Sequence, residues 1–107
     1  MSEKRREKRT HLFYYIKVYD PSTDQLLGHI VDISNRGAMI TTTVPLQRNS
    51  EVKLALEDTL ELDVASRAYV TAQCRWCSND FDNQLYDAGI EFNSLSNRAK
   101  EIIQIHH

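Results

Sequence analysis

An all-β domain with one C-terminal helix is the fold class this sequence predicts, and three observations carry it. Between Leu12 and Phe92 the apolar residues recur at every second position in short runs, the period of half-buried strands. No helical pattern separates those runs, so no crossover helix is available to join parallel strands, and the sheet is expected to be antiparallel. From Leu95 the period changes: Leu95, Ala99, Ile102 and Ile103 follow the i, i+4, i+7, i+8 spacing of one helical stripe. Six or seven short strands in one sheet leave exposed edges unless the sheet closes on itself. A small antiparallel barrel, plugged or flanked by the helix, is therefore expected.

Each element follows from its residues. Residues 2–10 contain no apolar side chain, and residues 1–10 are expected to form a flexible basic arm ahead of a barrel spanning residues 11–107. Leu12, Tyr14, Ile16 and Val18 alternate with Phe13, Tyr15, Lys17 and Tyr19 in a first strand, which ends at the turn cluster Asp20-Pro21-Ser22-Thr23-Asp24. A second strand runs from about Leu26 to Ser34, with Val31 and Ile33 inward and Asp32 and Ser34 outward. A third covers about Ala38 to Val44. After a loop from Pro45 to Ser50, Val52, Leu54 and Leu56 alternate with Glu51, Lys53 and Glu57. Leu60, Leu62 and Val64 suggest another short strand. A break near Ser66-Arg67 precedes a run with Ala68, Val70, Ala72, Cys74 and Trp76 on the inner face. Residues 78–83 read as a polar hairpin loop. Tyr86 to Phe92 forms the last strand, with Ala88, Ile90 and Phe92 inward. Ser94 or Ser96 then caps a helix over about 95–105.

A chain of 107 residues is one domain with a modest core. No run approaches the ~20 apolar residues of a membrane span, and no signal-peptide pattern is present, so a cytoplasmic location is expected. The net charge of -2 is unevenly spread. Lys4, Arg5, Arg6, Lys8 and Arg9 outweigh Glu3 and Glu7, which sets a basic arm on an acidic body. That pattern fits a locally bound anion and argues against a broad nucleic-acid surface, which would make the whole domain basic. Cys74 and Cys77 form a Cys-x-x-Cys pair at the end of a strand-like run. A redox pair needs a helix N-terminus and structural zinc needs four ligands. Residues three apart in a strand also face opposite sides, so a structural role and no metal are expected.

The segment Val31-Asp32-Ile33-Ser34-Asn35-Arg36-Gly37 carries the chemistry. Its carboxylate and hydroxyl share one face, and Gly37 either takes a positive φ or permits a close approach. A capped turn, in which Asp32 and Ser34 bond only local amides, is the alternative. Upstream, Arg5-x-x-x-Arg9 stands before the first strand. Guanidinium forks suit phosphates and the O6/N7 edge of guanine, while carboxylates accept from guanine N1–H and N2–H₂.

RxxxR at Arg5 and Arg9, followed by DxSxxG at Asp32, Ser34 and Gly37, resembles the two-part signature of the PilZ domain family. Gly89-Ile90-Glu91-Phe92 and the helix after it resemble that family's final strand and helix, and the likeness spans about residues 4–105. The resemblance implies a six-stranded antiparallel PilZ-type split β-barrel and a receptor for cyclic di-GMP, the only ligand expected, with no further cofactor. It implies that Arg5 and Arg9 hold phosphate and guanine groups, that Asp32 and Ser34 bind a guanine edge and that Gly37 allows the turn. Lys4 occupies the position linked to whether one or two ligand molecules bind, and Arg6 lies inside the motif. The implied output is a change in the arm that signals to an effector protein of flagellar, pilus, secretion or polysaccharide machinery in bacterial motility or biofilm control. Two alternatives stand beside it. One is a PilZ-like adaptor that acts by protein contacts without ligand. The other is a small nucleic-acid-binding barrel, which the exposed aromatics favour and the acidic body opposes. No catalytic residue is expected, because Asp32 and Ser34 lack a nearby base.

Overall fold

A computed structural model describes residues 16–59, 67–80 and 84–106. It contains six strands, β1 (Ile16–Tyr19), β2 (Leu26–Ile33), β3 (Gly37–Thr42), β4 (Glu51–Asp58), β5 (Ala68–Asp80) and β6 (Leu85–Leu95), followed by helix α1 (Asn97–His106). Every strand pairing is antiparallel, and the order β1-β2-β3-β6-β5-β4 closes through β4 and β1 into a barrel. Hairpins account for four of the ladders. The two long-range ladders, β3 with β6 and β1 with β4, turn the ribbon into a closed wall.

Alternation fills the barrel with aliphatic side chains. Ile16, Val18, Ile40, Leu54, Leu56, Val70, Ala72, Ala88 and Ile90 are buried there, and Ala99, Ile102 and Ile103 of α1 join the same cluster. The helix packs on β5 and β6. Its cap is Ser96: the Ser96 hydroxyl accepts the Ala99 amide at 3.2 Å and the Tyr69 amide at 3.0 Å. The Ser96 amide in turn donates to the Tyr69 carbonyl at 3.0 Å, which ties the start of the helix to β5. Leu95 closes β6 and does not open the helix.

Two β-bulges overturn the expected facing. Between β2 and β3 the register passes from Ile30↔Ile40 to Asp32↔Met39, so Val31 is the extra residue. Ile30 and Ile33 are buried, Val31 is half-buried, and Asp32 is exposed. Ile30 therefore takes the inward place predicted for Val31. Between β5 and β6 the register passes from Cys74↔Ile90 to Trp76↔Gly89, so Arg75 is the extra residue. Trp76, predicted to face inward, is 41% exposed. Cys77 turns back to pack against the core on the same side as buried Cys74, contrary to the simple alternation rule.

β5 continues through Asp80, which pairs with Leu85, so residues 78–80 are strand and not hairpin loop. Gln84, at φ 57°, belongs to the shortened connection. The strand expected around Leu60–Val64, the part of the first strand before Ile16 and the basic arm lie outside the described residues.

Candidate functional site

The motif turn joins β2 to β3 and is internally bonded. The Ser34 amide donates to the Gly37 carbonyl at 2.8 Å. The Ser34 hydroxyl donates to that carbonyl and accepts the Arg36 amide, both at 3.3 Å. Asp32 Oδ1 accepts the Ile33 amide at 2.9 Å. The capped-turn alternative is thus realised, and it fixes where the carboxylate and hydroxyl stand. The second Asp32 oxygen has no hydrogen-bond partner among the described residues.

Gly37 does not take a positive φ. It is needed for a close approach, and the approaching group is the protein's own β6. A Cβ built at Gly37 would overlap the Ile90 carbonyl oxygen, and the Phe92 amide donates to the Arg36 carbonyl at 2.7 Å. The turn is held flat against β6.

Beside it lies a shallow cleft of about 380 Å³ on the outer wall. The turn side supplies Asp32, Ser34, Arg36, Gly37 and Met39; β5 supplies Arg75 and Trp76, and β6 supplies Gly89 and Glu91. The β5 bulge aims the Trp76 indole across Gly89, where any Cβ would collide with the ring. Arg75 Nε donates to Glu91 Oε1 at 2.7 Å, and a second guanidinium nitrogen approaches the same oxygen. Arg36 and Arg75 against Asp32 and Glu91 leave the described part of the cleft charge-balanced. It combines an aromatic plane, a carboxylate and a hydroxyl that can accept hydrogen bonds, and guanidinium forks that can donate them.

The sequence matches the family model for the PilZ domain over residues 3–105, a span that includes both motif segments. The chain belongs to the PilZ domain family. The structure of a Bacillus subtilis inhibitor of motility (MotI/DgrA) superposes with a TM-score of 0.62 at 14% identity, covering 85% of this chain and 44% of that one. The chain therefore spans less than half of that protein, and the likeness is one of fold. No curated protein matches. No described helix is long and apolar enough to cross a membrane.

Within this PilZ barrel, Asp32, Ser34 and Gly37 line the same cleft. Lys4, Arg5, Arg6 and Arg9 lie outside the described residues. Sequence reasoning missed Arg36, Met39, Arg75, Trp76 and Glu91. The one cue for Trp76 was Gly89, an isolated strand glycine of the kind that marks a bulge or a close approach. The cysteines sit behind this wall. Burial raises the pKa of the Cys74 thiol, which contacts the Trp76 carbonyl at 3.4 Å. A buried thiol kept protonated is a poor nucleophile and metal ligand. Among the described residues, no three His, Cys, Asp or Glu side chains gather where they could hold a metal ion.

Proposed function

We propose that this PilZ domain binds cyclic di-GMP in the Asp32–Trp76 cleft and signals to a partner protein by closing its N-terminal arm over the ligand. One observation carries the reading: an exposed indole, a fixed carboxylate and a fixed hydroxyl share a shallow, charge-balanced cleft that begins at the end of β2, the neighbour of the strand that follows the basic arm. The indole offers a stacking surface for guanine. Asp32 accepts from the base edge, and Ser34 completes the polar wall. A dianionic ligand in a site with no net charge needs cations from elsewhere. Arg5, Arg9, Lys4 and Arg6 supply them.

The route is short. Lys17 pairs with His29, so the N-terminal end of β1 lies alongside β2 two or three residues from Asp32. Arg9 lies seven positions before Ile16, a span that reaches at most about 24 Å when extended. That length lets Arg9 fold back toward the cleft. The site is read as one of binding: PilZ is a family of binding and adaptor domains, and the Ser34 hydroxyl donates to the Gly37 carbonyl at 3.3 Å. The arm and ligand together would form the face read by an effector of flagellar, pilus, secretion or polysaccharide machinery.

Calorimetric titration with cyclic di-GMP tests this, with GTP and linear pGpG as controls. Saturable binding of cyclic di-GMP, much tighter than that of the controls, is expected. Arg9→Ala should weaken it by about 10–150-fold, the equivalent of one charge-assisted interaction of about 1.5–3 kcal/mol. A wild-type chain with no measurable heat of binding would leave the ligand-free adaptor in its place.

A further inference from the structure

Two charged residues of the cleft, Arg75 and Glu91, are bonded to each other and lie outside the two sequence motifs. Glu91 lies on β6 between Gly37 on β3 and Gln73 on β5 in the strand register. The β5 bulge lets Arg75 bond with Glu91 although the two are not register partners. Both side chains are about half exposed, at 54% and 46%. An ion pair this wet is weak and readily exchanged.

We infer that Glu91 is a latch on Arg75, released when a phosphodiester takes its place. A carboxylate and a phosphodiester each present two oxygens to the planar guanidinium fork, so one can replace the other without rebuilding the site. In the free protein Arg75 is held on Glu91. In the complex it turns to the phosphate beside the base stacked on Trp76, and Glu91 returns to water. Arg75 is then a ligand-binding residue supplied by the barrel wall, independent of the arm. Glu91 sets a threshold: it lowers the affinity for every anionic ligand and leaves a neutral nucleoside unaffected.

This inference rests on the cyclic dinucleotide reading above. The test is a double-mutant cycle by calorimetry with cyclic di-GMP, using wild type, Arg75→Gln, Glu91→Gln and the double variant. Arg75→Gln should weaken binding about tenfold or more, as loss of a charge-assisted contact does. Glu91→Gln should tighten it roughly two- to fivefold, the scale of an exposed ion pair. That gain should vanish when Arg75 is also Gln. Thermal melts of all four proteins should coincide, since both groups are outside the core. Weaker binding by Glu91→Gln would make Glu91 a ligand contact and overturn the latch. A gain that persists in the double variant would reduce Glu91 to general repulsion and overturn it equally. If wild type binds and Arg75→Gln binds as well, the latch fails alone; if no protein binds, the cyclic dinucleotide reading fails and the latch with it.

Discussion

Ile33 and its two neighbours divide the work of core and surface within three residues. Ile33 is 4% exposed inside the barrel, whereas Asp32 and Ser34 stand outside. Ile33→Ala should cost about 2–5 kcal/mol in urea unfolding, with the remaining folded protein binding ligand as before. Asp32→Ala should do the reverse, losing affinity with little loss of stability. This opposition was legible because alternation holds from Asp32 onward. The burial of Ile30 was not, because a bulge is a backbone choice that leaves no mark on local hydropathy. His29, half-buried on β2, belongs to the same scale. Burial lowers its pKa, with Asp87 partly opposing the shift. A folded-state pKa below the unfolded value means that protons favour the unfolded chain. The contribution of His29 is complete above the unfolded pKa and is lost as pH falls through that value toward the folded one. The melting temperature should therefore drop between about pH 7.5 and about pH 5.5, and His29→Gln should shrink that drop. Equal drops in both proteins would remove His29 from the account.

At the scale of elements, β5 is the strand on which the site depends. Its extra residue, Arg75, places Trp76 outside and returns Cys77 to the core. Gly89 and Gly37 then separate by what a methyl would strike. At Gly89 it meets an indole that is partly free to swing; at Gly37 it meets backbone. Gly89→Ala should thus lower ligand affinity and quench less tryptophan fluorescence on binding, at modest cost in stability. Gly37→Ala should destabilise the barrel itself. Similar melting curves for the two variants would contradict this division. The helix cap is a second test. Ser96→Ala deprives two amides of their acceptor and should cost about 1–2 kcal/mol. Hydropathy revealed the helix and the six described strands, and residue type narrowed the cap to Ser94 or Ser96, of which Ser96 serves. It could not give the length of β5, because Ser78, Asn79 and Asp80 carry turn chemistry yet are held extended by pairing with β6.

Over the whole molecule, closure of the sheet was legible only as a consequence, from six or seven amphipathic strands that need protection for their edges. The candidate site was half legible: its motif residues stand out in sequence, whereas the wall opposite is assembled from β5 and β6, distant in the chain. Closing the arm on the ligand predicts a change in proteolysis. Trypsin can cut at Lys4, Arg5, Arg6, Lys8 and Arg9, and saturating cyclic di-GMP should slow those cuts strongly while leaving others little changed. Equal rates with and without ligand would exclude arm closure. The barrel seam gives this closure a further reach. β1 bonds to β2 on one side and to β4 on the other, so it is both the strand into which the arm leads and the stave that seals the cylinder. An arm held by ligand would clamp that stave and raise the cost of opening the seam. Amide hydrogens of Lys17, Val18 and Tyr19, and those of β4 facing them, would then exchange more slowly with solvent deuterium, although β4 lines no part of the cleft. The barrel would transmit ligand binding around its circumference as a change in how often it breathes.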